Sequence, residues 1–428
     1  MVELDFGIKV LGESKINSPL KNTHFECPSA KVMYHTDPAE MDEYKNKFGK
    51  IAAFEKAGPR EKIFQDPKWC KAAIVTAGGL CPGLNDVIKG LTRTLYRYEV
   101  PMVYGIPYGY RGLNPEYGLE PIILTPENVD HIHDQGGTIL GSSRGQQDIG
   151  VMVDTLVRMN INMLFCIGGD GTLRGANLIS KEISKRGLNI SVVCIPKTID
   201  NDISFVDKTF GFETAVYATT PVITCAHNEA KGAYNGVGLI HVMGRDSGFI
   251  AAYAALANSD VNYCLIPEEK FTLEDGPDAF LPHLFKRLQA RKHAVVLIAE
   301  GAGQELFEEE KSKQDQSGNI LHKNIGRFLK AKINEYAEKY DIECNLKYFD
   351  PSYSIRSLPA HGTDAVLCSM LAHNAVAAAM SGCTDVVVGR WNGTFTLVPI
   401  PLATSTRKKI NLDSSVWRSV RSMTWPEY

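Results

Sequence analysis

Several things are scarce in this chain of 428 residues, and each scarcity closes a route. There is no excess of positive charge. The formal net charge is −3, so nucleic acid and membrane surfaces have no global basic field to meet, and any anionic ligand must be held by a local cluster. No apolar stretch approaches the ~20 residues that cross a bilayer. The opening, MVELDFGIKVLGES, has no basic segment followed by an apolar one, and the final TWPEY is no peroxisomal address, which sets the expectation of a cytoplasmic protein without membrane or nucleic-acid partners. The ten cysteines include no C-x-x-C pair and several sit inside apolar runs, as suits reduced thiols. The eleven histidines show no H-x-x-x-H spacing, so His293 and His361 read as structural. There is no internal repeat and no low-complexity tract.

What remains is enough apolar material, 44% of residues, to bury a sizeable core over more than one domain. Residues 12–66 are polar, mixed in charge and interrupted in pattern, and read as an arm wrapping a core or a partner subunit. From Lys71 the texture changes to short apolar runs ending in glycine or a charged residue: AAIVTAGG, PMVYGIPYG, MLFCIGGDG, SVVCIPKT, VGLIHVMGR, YCLIPEE, HAVVLIAEG and DVVVGRWNG. Continuous β-branched runs without alternation indicate strands covered on both faces, hence parallel sheets between helices in a doubly wound α/β architecture. Ligands of such sheets gather at the carboxyl ends of the strands. The stretch FEEEKSKQDQSGN (307–319) reads as a surface insertion, and Ile325, Phe328, Leu329, Ile333 and Tyr336 behind it recur at helical spacing.

Gly168-Gly169-Asp170-Gly171-Thr172 leaves a strand for a helix, so backbone N–H groups and the helix N-terminus offer a seat for phosphate. Asp170 would repel that phosphate unless a cation intervenes, and magnesium, held by one or two carboxylates together with phosphate oxygens, resolves the conflict. GGDGT alone says no more, because lipid kinases and NAD kinases carry it too. IPKTIDND (195–202) adds Lys197 and the carboxylates Asp200 and Asp202 in one loop, and Gly-rich turns recur at GGLCPG (78–83) and GSSRG (141–145). Cations for developing phosphoryl charge, a carboxylate to take a proton from an alcohol and magnesium to bridge phosphates describe phosphoryl transfer to a hydroxyl.

In ordered combination, GGLCPGLN (78–85), YGYRGL (108–113), GGTILGSSRG (136–145), GGDGT (168–172), PKTIDND (196–202), GFETA (211–215), MGRDSG (243–248), AEG (299–301) and PSYSIRS (351–357) resemble the 6-phosphofructokinases, from about residue 71 to about residue 400. The variants PKTIDND, AYNGVG and Tyr353 resemble the branch that holds plant and trypanosome ATP-using enzymes and diphosphate-using relatives. The resemblance implies two doubly wound Rossmann-like domains. Residues 71–211 with about 355–405 would bind nucleotide and 212–354 the sugar phosphate, flanked by an arm (1–70) and a C-terminal segment (406–428).

Carried over, the resemblance implies that Gly79, Arg144, Gly145, Gly169, Gly171 and Thr172 hold the nucleotide phosphates, with Tyr110 near the adenosine and Asp170 on magnesium. Asp200 would be the general base for the 1-hydroxyl of fructose 6-phosphate as it attacks the γ-phosphoryl group of ATP. Thr198, Ile199 and Asp202 would support that loop, and Arg245 and Lys197 would meet the transferred group. Met243, Gly244 and Glu300 would line the sugar, while Tyr353, Arg356 and Lys347 would grip its 6-phosphate. An allosteric glycolytic homotetramer in the cytoplasm is implied as well.

Two departures bear on these roles. Bacterial members place an arginine seven residues before the MGR methionine, where Gly236 stands here. Lys197 replaces a glycine and is typical of diphosphate users, whereas Gly171 leaves open the space that their aspartate fills against the α-phosphate of ATP. Gly171 weighs more, since a clash excludes a ligand and an added cation can serve either donor. A diphosphate-dependent transferase is the alternative reading.

Overall fold

The computed structural model describes residues 2–277, 279–307 and 322–425. All eight glycine- or charge-terminated runs are strands. In chain order they are β1 (Lys71–Thr76), β2 (Met102–Ile106), β3 (Met163–Gly168), β4 (Ser191–Pro196), β5 (Gly236–Val242), β6 (Tyr263–Leu265), β7 (His293–Ala299) and, after β8 (Asn345–Phe349), β9 (Val386–Trp391), which is followed by β10 (Thr394–Pro399). The helices that matter for the site are α1 (Leu84–Arg97), α2 (Asp170–Lys185), α3 (Phe212–Gly232), α4 (Phe249–Ala257), α5 (Ile325–Lys339) and α6 (Gly362–Met380).

The chain forms two units. The first holds residues up to 198, Ile203–Gly211 and Leu358–Arg407; the second holds Ile199–Asp202, Phe212–Ser357 and the segment from Lys408 onward. In the first unit β9, β4, β3, β1 and β2 run parallel in that spatial order, and every residue of β3 and β4 is buried, as unalternating runs between two helical layers require. Antiparallel strands extend both edges: β10 followed by Ala53–Lys56 and Lys31–Met33 beyond β9, and Ile122–Ile123 beyond β2. The chain passes from β1 outward to β2 and then returns to the other side of β1 for β3 and β4. The carboxyl ends of the neighbours β1 and β3 therefore form a topological switch point, where ligands of such sheets sit.

The arm of the first seventy residues packs on this same unit. Lys9–Val10 pairs with Cys383–Thr384, the Lys9 ammonium meets the Asp385 carboxylate at 2.7 Å, and Phe6 and Tyr34 stack into a cluster with Phe54, Phe205 and Trp391. In the second unit β6, β7, β5 and β8 form an all-parallel sheet in that order. Ile325, Leu329 and Ile333 are buried on one face of α5, whose first turn is capped where the Asn324 side chain accepts from the Arg327 N–H at 2.8 Å. Most of the anticipated surface insertion at 307–319, from residue 308 on, lies outside the described residues.

Candidate active site

The nucleotide half of the anticipated site is assembled in the first unit at the ends of β1, β2, β3 and β4. The loops after these strands are tied to one another. The Gly78 N–H donates to the Ser143 carbonyl at 3.0 Å, the Ser142 hydroxyl returns a bond to the Gly78 carbonyl at 2.6 Å, and the Ser143 hydroxyl donates to the Tyr108 carbonyl at 2.6 Å. Gly79, Arg144 and Gly145 thus share one bonded frame. Arg144 is exposed, and Gly145 holds φ +102°, a conformation that disfavours any side chain.

Opposite this frame α2 begins at Asp170, directly after β3 and Gly169. A Cβ on Gly168 would overlap the Thr172 side chain, so only glycine lets the helix turn this sharply off the strand. Thr172 is buried and Gly171 exposed in the first turn. Lys197 is buried, its N–H on the Gly168 carbonyl at 3.0 Å and its ammonium on the Gly79 carbonyl at 2.6 Å. It bridges the two Gly-rich turns. The Asp170 carboxylate faces Arg174 at 3.0 Å and Arg407 at 3.8 Å. Among the described residues no group of three or more His, Cys, Asp or Glu side chains could cage a metal. Asp170, paired here with two guanidiniums, offers the single protein carboxylate that magnesium needs when its remaining oxygens come from phosphate and water. Arg174 and Arg407 are cations that sequence reading passed over, because neither falls in a quoted motif.

Tyr110, expected near the adenosine, lies beneath the surface. Its ring is buried in the core, lies against Gly175 and donates its hydroxyl to the Thr172 carbonyl at 2.8 Å, while burial beside Cys166 and Cys194 pushes its phenol well up. It braces the GGDGT turn from beneath. The exposed aromatic at this edge is Tyr108, two residues earlier, whose backbone is left-handed and whose ring covers Gly141.

The residues expected to meet the sugar gather in the second unit at the ends of β5 and β7. The Glu300 N–H donates to the Val242 carbonyl at 2.9 Å and the Gly301 N–H to the Gly244 carbonyl at 3.0 Å, which binds the MGR and AEG stretches edge to edge. A Cβ on Gly301 would overlap the Arg245 carbonyl oxygen, so glycine is required for that approach. Met243, Arg245 and Glu300 are each half-buried around this join. Ile199–Asp202 pack here as well, with the Ser247 hydroxyl donating to the Asp200 carbonyl at 3.0 Å. Thr198 belongs to the first unit, its carbonyl accepting from the Thr209 hydroxyl at 2.6 Å.

Tyr353 and Arg356 come together, with the guanidinium 4.7 Å above the phenol ring. Lys347 is not brought to these loops: it is exposed in mid-β8 in register with Gly238, four residues before Val242, about 13 Å back at ~3.3 Å per residue. Gly236 has a packing reason for lacking the bacterial arginine, since a Cβ there would run into the Ala230 carbonyl at the end of α3.

These loops carry most of the motifs of the resemblance, and the comparisons agree with it. A model of the family described as Phosphofructokinase matches residues 71–379. The chain belongs to the phosphofructokinase family. It is 50% identical over 432 residues to an ATP-dependent 6-phosphofructokinase of Borreliella burgdorferi, spanning 98% of this chain and 96% of that one. It is 42% identical over 412 residues to the ATP-dependent 6-phosphofructokinase of Trypanosoma brucei brucei, spanning 94% and 82%, in keeping with the expected branch. A pyrophosphate-dependent phosphofructokinase structure from Marinobacter aquaeolei superposes with a TM-score of 0.66 over 81% of this chain and 88% of that one at 20% identity, which bears on the phosphofructokinase fold.

Proposed function

We propose that this protein transfers the γ-phosphoryl group of ATP to the 1-hydroxyl of D-fructose 6-phosphate, giving fructose 1,6-bisphosphate. The observation that carries the reading is the 50% identity, over 98% of the chain, with an ATP-dependent 6-phosphofructokinase, a span that includes Asp170, Gly171, Asp200 and Arg245. The first unit is the nucleotide domain, in which Gly79, Arg144, Gly145, Gly169, Gly171 and Thr172 offer backbone N–H groups and a guanidinium to the phosphates. Tyr110 acts through the Thr172 carbonyl it holds, and Tyr108 offers the exposed ring beside them. Asp170 holds magnesium, which when bound neutralises phosphate charge.

The second unit is the sugar domain. Met243, Gly244 and Glu300 line the sugar and Tyr353 with Arg356 meets its 6-phosphate. Asp200 takes the proton from the 1-hydroxyl as it attacks, while Arg245 and Lys197 stabilise the charge that develops on the transferred group. The enzyme works in the cytoplasm as an allosterically controlled homotetramer. No described helix is long and apolar enough to cross a membrane. A coupled assay with ATP and then diphosphate as donor tests the central reading, and activity confined to diphosphate would overturn it.

Two results follow from these roles. Asp170→Ala should abolish magnesium-dependent turnover and weaken binding of the magnesium nucleotide at least ~10-fold by calorimetry, while metal-free nucleotide binding holds level or tightens because the repelling carboxylate is gone. Unchanged magnesium dependence would move the ligand elsewhere. Size-exclusion with light scattering should return a mass of four chains, and a monomer at working concentration would refute the tetramer.

A further inference from the structure

The loop that carries Asp200 has no helix or strand of its own to hold it, and its backbone is unusual. Asn201 is buried in the left-handed region at φ +53°, which asparagine tolerates better than most side chains, so the loop's conformation is fixed by a residue suited to it and by its neighbours. Two neighbours hold it within the second unit. On one side the fully buried Ser247 donates its hydroxyl to the Asp200 carbonyl. On the other, the Lys408 N–H donates to the Asp202 carbonyl at 2.9 Å and the Lys408 ammonium reaches the Asn201 side-chain oxygen at 3.2 Å, lying 5.3 Å from the Phe249 ring centre.

Both neighbours are fastened by the same carboxylate. Glu268, three residues beyond β6, accepts from the Gly248 N–H with both oxygens at 3.1 Å, immediately after Ser247. It also accepts from the Ile410 N–H at 2.8 Å, two residues after Lys408. Burial pushes its carboxyl up, while the two N–H donors favour the ionised form. A half-buried carboxylate bonded to two otherwise unrelated backbone segments makes charge-assisted bonds that neither segment could replace by itself.

We propose that Glu268 and Lys408 are positioning residues for phosphoryl transfer: Glu268 clasps the 247–248 and 408–410 segments, and through them the pair fixes the Asp200 loop. The inference rests on the reading of Asp200 as the base. Neither residue touches the reacting atoms. Misplacement of a reacting group by about 1 Å can cost ~10²-fold in rate, so the loss should fall on kcat and leave the sugar KM nearly alone.

The test is a cycle between these residues and Asp200. Glu268→Ala should lower kcat about 10–100-fold, with the fructose 6-phosphate KM moving less than ~3-fold. Glu268→Gln, which keeps an acceptor oxygen, should recover most of that loss. Lys408→Met should act in the same direction, and Lys408→Arg should restore part of the rate. In an Asp200→Asn background Glu268→Ala should add less than ~3-fold, because a base that is absent cannot be mispositioned. Equal losses in both backgrounds, or wild-type kcat in folded Glu268→Ala and Lys408→Met proteins, would overturn the proposal. If Glu268→Ala does not fold, Glu268→Gln and Lys408→Met complete the same cycle. Full activity of Asp200→Asn alone overturns the base assignment, and the split of kcat against KM in the Glu268 and Lys408 variants then decides the positioning role by itself.

Discussion

Replacing Asp200 by asparagine is expected to lower kcat by about 10²–10⁴-fold while the fructose 6-phosphate KM changes little. The side chain keeps its size and loses the ability to take a proton. The loop should stay in place, because Ser247 bonds the Asp200 carbonyl, Lys408 bonds the Asp202 carbonyl and the Asn201 side-chain oxygen, and the substitution leaves all three of these bonds intact. A steady-state assay coupled to consumption of fructose 1,6-bisphosphate reads the rate, and direct sugar binding by calorimetry reads the ground state. If kcat stays near its original value, the proton leaves by another route and Asp200 is not the base.

The sequence made the strands legible because parallel strands buried on both faces cannot alternate, and each of the eight runs therefore stood out as a block ending in glycine or charge. β8 escaped notice for the opposite reason. Its NLKYF lies at the edge of the second unit's sheet, is partly exposed and carries Asn345 and Lys347, so no apolar block marks it. The arm's strands are two to four residues long, too short to show a period.

The site divides along a similar line. Glycines that must lack a Cβ, such as Gly168 and Gly301, stand within motifs because their neighbours are fixed by steric contact. For Tyr110 the resemblance implies only a place near the adenosine, and no pattern in YGYRGL shows that its hydroxyl is spent on the Thr172 carbonyl. Glu268 and Lys408 lay beyond sequence reasoning altogether. Their partners are mainly backbone N–H and C=O groups, which every residue owns, so no residue pattern announces the contact.

Gly171→Asp should invert the preference for the phosphoryl donor. Gly171 is exposed in the first turn of α2, where the helical backbone suits any L-residue, and a negative charge at a helix N-terminus adds about 0.3–1 kcal/mol of stability. Any loss of ATP-dependent rate should therefore reflect the ligand rather than unfolding, which a thermal melt can verify. In the proposed pose the new carboxylate occupies the α-phosphate position, and overlap with like-charge repulsion should lower kcat/KM for ATP about 10²-fold or more. Diphosphate has no α-phosphate or adenosine to collide with it. Lys197 is already held against Gly79 between the two glycine-rich turns, so a cation is in place to offset the extra charge. Diphosphate-dependent kcat/KM should then rise or hold level in the same variant. The ratio of the two donors' kcat/KM values, compared between wild type and Gly171→Asp, cancels changes in folded fraction and in sugar binding. A value near one would mean that position 171 does not select the donor, and selection would have to be sought at Lys197, where Lys197→Gly with the same pair of assays gives the matching measurement.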